Sequence, residues 1–140
     1  MAEALYTAVA TARGDGRNGE VTSSDGVIDE SLAIPKEMGG PGGDKTNPEQ
    51  LFAAGYSACF HSALQLVARQ SKVQLSDSTV TAEVSVLKKD VGFGLAVALK
   101  ASLPGLEQGQ ADELVAQAHQ VCPYSNATRG NIEVALSATV

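Results

Sequence analysis

Tryptophan is absent from these 140 residues and aromatic side chains make up only 4% of them, so Ala, Val, Leu and Ile must build most of any core. Hydrophobic residues reach 44%, and a chain of this length holds one ordinary domain that needs no disulfide staples. Positive charge is also scarce. A formal net charge of -6 and a pI near 4.8, with no basic stripe, argue against a domain that neutralises nucleic-acid phosphates. No apolar run approaches the roughly 18 residues of a membrane span, and MAEALYTAVATARG lacks the positive start of a secretory signal. The expectation is a soluble cytoplasmic protein with no nucleic-acid or membrane partner, whose thiols stay mostly reduced.

What is present reads as alternating strands and helices. Leu5 to Ala12, Glu20 to Ser24 and Val27 to Ile34 are predicted strands, separated by the polar turn from Gly14 to Gly19 and by Asp25 and Gly26, which makes an antiparallel meander. Pro35 to Thr46 carries four glycines and a second proline, Pro41, and reads as a surface loop of a length that is often functional. Asn47 is then a predicted N-cap, with Pro48 at the first helical position and Gln50 completing a capping box. The helix is expected to run to about Arg69. Its first half, Leu51 to Leu64, is apolar or small on nearly every side, which implies burial on several faces and a close approach to another helix or a second copy of the chain. Thr79 to Leu87 alternates as a half-exposed strand, and Asp90 to Gly94 turns it into a second, Leu95 to Leu103. A helix from Ala111 to Val121 and a final alternating strand from Ile132 to Val140 complete the order βββαββαβ, an α+β class over a single domain, residues 1–140.

The only thiols, Cys59 and Cys122, stand 63 positions apart. Cys59 lies within the apolar helix, where burial raises a thiol's pKa and leaves little nucleophile at neutral pH unless a cation stands near. Cys122 precedes Pro123, which can open a helix whose N-terminal field lowers thiol pKa, so local chemistry alone would also nominate Cys122 as nucleophile. Cys59 with His61 and His119 with Cys122 offer four potential zinc ligands, the count of a structural site. Residues two apart on a helix point about 200° apart, however, so Cys59 and His61 cannot easily face one metal. No metal is expected.

TNPEQLFAAGYSACF and VCPYSNATRGNIEV, with YTA near the start, SSDG from Ser23 to Gly26 and the GGPGGDKTNP loop, cover nearly the whole chain in order. In these motifs the sequence resembles the organic hydroperoxide resistance (Ohr) branch of the OsmC/Ohr family. The resemblance implies an α+β thiol peroxidase, an intertwined homodimer with active sites at the subunit interface. It makes Cys59 the peroxidatic residue, oxidised to a sulfenic acid by an organic hydroperoxide, and Cys122 the resolving thiol that condenses with it to a disulfide. It implies regeneration by dihydrolipoamide on lipoylated proteins and no bound cofactor.

The resemblance also supplies the missing cation, an arginine in the N-terminal turn oriented by the glutamate of NPEQLF, which is Glu49. Counting back from SSDG through RNGEVT selects Arg17, with Arg13 as the alternative. Arginine suits the role because it stays charged in a low-dielectric pocket and can bridge a thiolate and a carboxylate. On an unbroken helix Glu49 and Cys59 lie about 15 Å apart. Either the arginine and glutamate come from the other subunit, or the helix is broken near its start. Leu51, Phe52, Phe60 and Tyr124 are candidates to line an alkyl pocket, while Asn126, Thr128 and Arg129 are assigned only to a turn. A different class, a non-catalytic thiol redox sensor or lipid-binding module, is the competing expectation.

Overall fold

Short strands form at the N-terminus where β-branched residues lie between glycine-bearing turns, and the computed structural model describes residues 2–140 in two compact units that divide after Leu51. In the first unit, β1 (Ala10–Arg13), β2 (Glu20–Ser23) and β3 (Asp29–Ser31) form an antiparallel sheet in that order. Arg13 stands opposite Glu20, and Glu20 opposite Ser31. The β1–β2 turn is a single 3₁₀ turn, Gly16–Asn18. Gly19 closes it at a spot where a Cβ would collide with the Arg13 carbonyl, so only glycine fits there.

Two of these strands are shorter than the sequence predicts. Ala10 faces Ser23, the last residue of β2, so Leu5 to Val9 run beyond the ladder and cannot be a strand without another neighbour. β3 stops at Ser31, although Leu32 N–H still donates to the Gly19 carbonyl at 2.8 Å while Leu32 also bridges Thr46. The expected Pro35 to Thr46 loop is present, with one 3₁₀ turn at Lys36–Met38. It is folded back by Gly42 N–H donating to the Ile34 carbonyl at 3.0 Å.

Helix α1 (Pro48–Gln70) is uninterrupted for 23 residues. Asn47 Oδ1 accepts the Gln50 amide at 2.8 Å, the predicted N-cap. The reciprocal half of a capping box is missing, because Gln50 Oε1 accepts instead from the Thr46 hydroxyl at 2.8 Å. By length and composition α1 could cross a membrane, with a mean hydropathy of 1.3 over its most apolar window, so the expectation of no such segment is corrected. Alanine, glycine and serine keep it from being an unbroken apolar run. A buried core helix satisfies the same measure, and α1 buries Tyr56, Phe60, Ala63, Leu64, Val67 and Ala68.

In the second unit, Phe52–Val140, β4 (Thr79–Lys88) and β5 (Phe93–Ser102) form the predicted hairpin, and β6 (Val134–Thr139) pairs parallel to β5, placing β5 in the centre. A parallel neighbour requires a crossover. Here α2 (Gln108–Val121) and α3 (Pro123–Thr128) provide it. The short α3 is an addition to the predicted order, opened by Pro123 and kept separate from α2 by extended backbone at Cys122. Burial alternates along β4 and β6 as expected. Val97, Leu99 and Ala101 of β5 bury against Leu64 and Val67 of α1 and Leu114 and Val115 of α2 in one aliphatic cluster. Such a core suits a chain poor in aromatics.

Candidate active site

Cys59 lies midway along α1 and is half-buried, whereas Cys122, the junction residue between α2 and α3, is fully buried. Both are free thiols, and Cys122 Sγ donates toward Cys59 Sγ at 3.5 Å. A disulfide needs about 2.05 Å, so a small approach joins them. Cys59 opens on a cleft of about 380 Å³ lined by Ser62, Ala63, Leu66, Arg69, Val121 and Pro123. Cys122 does not line it. A reagent entering the cleft therefore meets Cys59 first.

The electrostatics of Cys59 are set chiefly by its partial burial. Burial pushes its pKa up, hydrogen bonding from the Tyr124 backbone amide pulls it down, and the Cys122 thiol pushes it up again. The start of α3 thus acts on Cys59, the opposite of the assignment that its position beside Cys122 suggests.

In the first unit, one of the two candidate arginines is paired with Glu49. Arg17 in the β1–β2 turn donates Nη1 to Glu49 Oε1 at 2.6 Å and Nη2 to Glu49 Oε2 at 3.1 Å, a two-pronged pair. The Glu49 carboxyl is held below its ordinary range chiefly by this hydrogen bond, against the opposing effect of burial. The hydrogen bond also raises the Arg17 guanidinium pKa. Among the described residues, the Arg13 side chain makes only a long 3.4 Å contact with the Thr22 hydroxyl. Of the two candidate arginines, Arg17 is the one that meets Glu49.

The remaining predicted residues divide. Phe60 is fully buried core, whereas Phe52 and Tyr124 line a second pocket of about 600 Å³ with Leu95, Ala127 and Ile132. His61 Nε2 shares a 2.9 Å hydrogen bond with Ser78 Oγ. Burial, and then the charge of Arg129, lower the His119 pKa and favour its neutral form. Among the described residues, no three His, Cys, Asp or Glu side chains gather at one point, and the zinc arrangement does not assemble.

The segment after Cys122 is more than a turn. Arg129 Nη2 donates to the His119 carbonyl and to Asn126 Oδ1, both at 2.6 Å, tying α3 back to α2. Thr128 Oγ1 and Ser125 Oγ each lie 2.9 Å from the Tyr56 hydroxyl, and all three residues are buried. Sequence reasoning passed over Tyr56 and Ser125. The available signal was a phenol within a run of small apolar residues, since a buried Tyr hydroxyl needs a partner.

The fold and the paired thiols define the class: an α+β protein with two reduced cysteines within reach of each other, one open to a cleft and one enclosed. Comparison with known proteins narrows it. Residues 40–137 match the family described as OsmC-like protein. The chain is 52% identical to the organic hydroperoxide resistance protein of Xanthomonas axonopodis pv. citri, over 95% of this chain and 94% of that protein. The crystal structure of an organic hydroperoxide resistance protein OsmC from Legionella pneumophila matches with a TM-score of 0.92 and 55% identity, over 99% of this chain and 100% of that one. A second such protein, from Elizabethkingia anophelis, matches with a TM-score of 0.92 and 52% identity over 99% of both chains. The chain belongs to the OsmC/Ohr family, in its Ohr branch.

Proposed function

We propose that the 140 residues act as one OsmC/Ohr-like domain, a cytoplasmic thiol-dependent peroxidase that reduces organic hydroperoxides to alcohols. The observation that carries this reading is the 3.5 Å approach of an enclosed Cys122 thiol to a Cys59 that opens on a cleft. The Cys59 thiolate attacks the distal peroxide oxygen, the O–O bond breaks, and the alkoxide leaves as alcohol once protonated. Cys59 becomes a sulfenic acid. Cys122 sulfur then displaces its hydroxyl, which leaves as water with the Cys122 proton, and a disulfide remains. Dihydrolipoamide on a lipoylated protein returns both thiols, so no bound cofactor is needed.

Arginine and glutamate enter the same proposal. Ten helical residues of α1 separate Glu49 from Cys59, roughly 15 Å along the axis, which supports a site shared between two copies of the chain. We assign the cation for each Cys59 to the Arg17–Glu49 pair of a second copy of the chain, within an intertwined homodimer. In the isolated chain Leu5, Tyr6 and Val27 are 103%, 80% and 83% exposed. Such large apolar side chains gain by being covered.

Apolar lining at the cleft, from Leu66 and Val121, favours alkyl or fatty-acid hydroperoxides over hydrogen peroxide, which makes no apolar contacts. The test is turnover of tert-butyl or cumene hydroperoxide against hydrogen peroxide, each with dihydrolipoamide and with glutathione. Repeated turnover of the organic substrates with dihydrolipoamide is expected. A single stoichiometric oxidation would instead make the chain a redox sensor, and equal rates with hydrogen peroxide would remove the substrate assignment.

A further inference from the structure

Tyr56 precedes Cys59 by three residues and therefore lies on the adjoining turn of α1. Its hydroxyl stands between Ser125 Oγ and Thr128 Oγ1, 2.9 Å from each. Ser125 and Thr128 lie on α3, the helix that Cys122 caps, and the Thr128 hydroxyl also reaches the Ser125 carbonyl at 3.3 Å. All three hydroxyl-bearing residues are buried, so their hydrogen bonds have no water to compete with them. Next to them, Gly55 leaves the space taken by the Tyr124 ring, where an added Cβ would stand 2.6 Å from the Tyr124 hydroxyl. One stretch of α1 thus carries Cys59 and, through three hydroxyls, grips the helix that Cys122 caps.

The geometry points to Tyr56, Ser125 and Thr128 as a positioning device for the resolving step: they hold Cys122 Sγ at attack distance from Cys59 Sγ while leaving the attacking thiol free to meet its oxidant. The inference rests on the peroxidase reading for its biological role, and on the thiol geometry alone for its chemistry. Six-residue α3 has too few turns to be rigid by itself. α2 holds α3 through Arg129, whose guanidinium reaches the His119 carbonyl. Tyr56 is the hydroxyl contact that ties α3 to the helix bearing the other thiol. Without it, α3 is tied to α1 by the Tyr124 amide's hydrogen bond to Cys59 and by apolar contacts such as Phe52 with Tyr124, which resist sliding poorly because they have no direction.

The step has a defined balance. In turnover, the S–O bond of the Cys59 sulfenic acid breaks, the S–S bond forms, and water leaves carrying the Cys122 proton. The same closure is driven without peroxide from a mixed disulfide between Cys59 and an aromatic disulfide reagent. There Cys122 sulfur attacks Cys59 sulfur, the aryl thiolate departs, and the Cys122 proton goes to solvent.

Rapid-mixing measurements on Tyr56→Phe and Thr128→Val separate oxidation of Cys59 from closure. Closure is expected to slow by about tenfold or more, within the roughly 100-fold that a 1 Å misplacement can cost. Oxidation of Cys59 is expected to keep its wild-type rate, so sulfenic acid accumulates transiently. Thr128→Ser retains the hydroxyl and is expected to close like wild type. Release of aryl thiolate from the mixed disulfide reports closure even if hydroperoxides fail to react, which would sink the peroxidase reading and leave this one standing. Wild-type closure in Tyr56→Phe, or an equal slowing of both steps, overturns the positioning role.

Discussion

Cys59 shows at the scale of one residue why an identity and a reactivity are separate properties. Its helix and its small apolar neighbours are legible from the sequence, and with them the burial that pushes its pKa up. The Tyr124 amide that partly offsets this comes from a helix whose start lies past residue 122, and no local pattern places it there. A thiol of raised pKa is mostly protonated at neutral pH, and a nearby guanidinium lowers that pKa by favouring the thiolate. Arg17→Ala is therefore expected to move the midpoint of the pH–rate curve for Cys59 oxidation to higher pH. Below both midpoints the rate falls about tenfold for each unit of that shift, and it recovers as the pH rises past the new midpoint. Stopped-flow oxidation rates over neutral to alkaline pH measure it. A uniform loss at every pH would mean that Arg17 acts on something other than thiol ionisation.

Among the elements, α1 was the most legible, while β1 and α3 were read poorly. Asn47, Pro48 and the apolar run after them carry the start of α1 locally, and the Asn47 cap is present at 2.8 Å. Asn47→Ala is expected to lower stability by about 1 kcal/mol, read as a shift of the urea midpoint with an unchanged slope. An effect within error would show that the Thr46–Gln50 contact caps the helix unaided. β1 was over-read because a strand's length depends on the strand beside it, and Leu5 to Val9 pass the end of β2. α3 was missed as an element for a related reason. Six residues are too few for a periodicity to register, and Pro123 marks only where such a helix can begin.

For the whole molecule, the open question of the sequence is which copy of the chain serves which thiol. Exposed Leu5, Tyr6 and Val27, with an α1 that is apolar well beyond its buried face, favour the intertwined homodimer proposed above. Sedimentation is expected to find a dimer. Refolding Cys59→Ser chains with Glu49→Ala chains is expected to recover activity that neither variant has alone, because one site of each mixed dimer keeps an intact Cys59 and an intact Glu49. No recovery in a mixture shown to contain mixed dimers would return the arginine and glutamate to the same chain as their cysteine.

By itself the sequence determined the α+β class, the order of strands and long helices, and the two thiols. Each of these rests on periodicity, capping or residue type, which act over a few neighbouring positions. Only the tertiary structure decided that Arg17 rather than Arg13 meets Glu49, 32 positions away. It also decided that Cys122 is enclosed while Cys59 opens on a cleft, and that Tyr56 reaches Ser125 across 69 positions. Those pairings depend on how packed elements bring distant side chains within about 3 Å of each other, the range over which a hydrogen bond acts, and no local pattern encodes that.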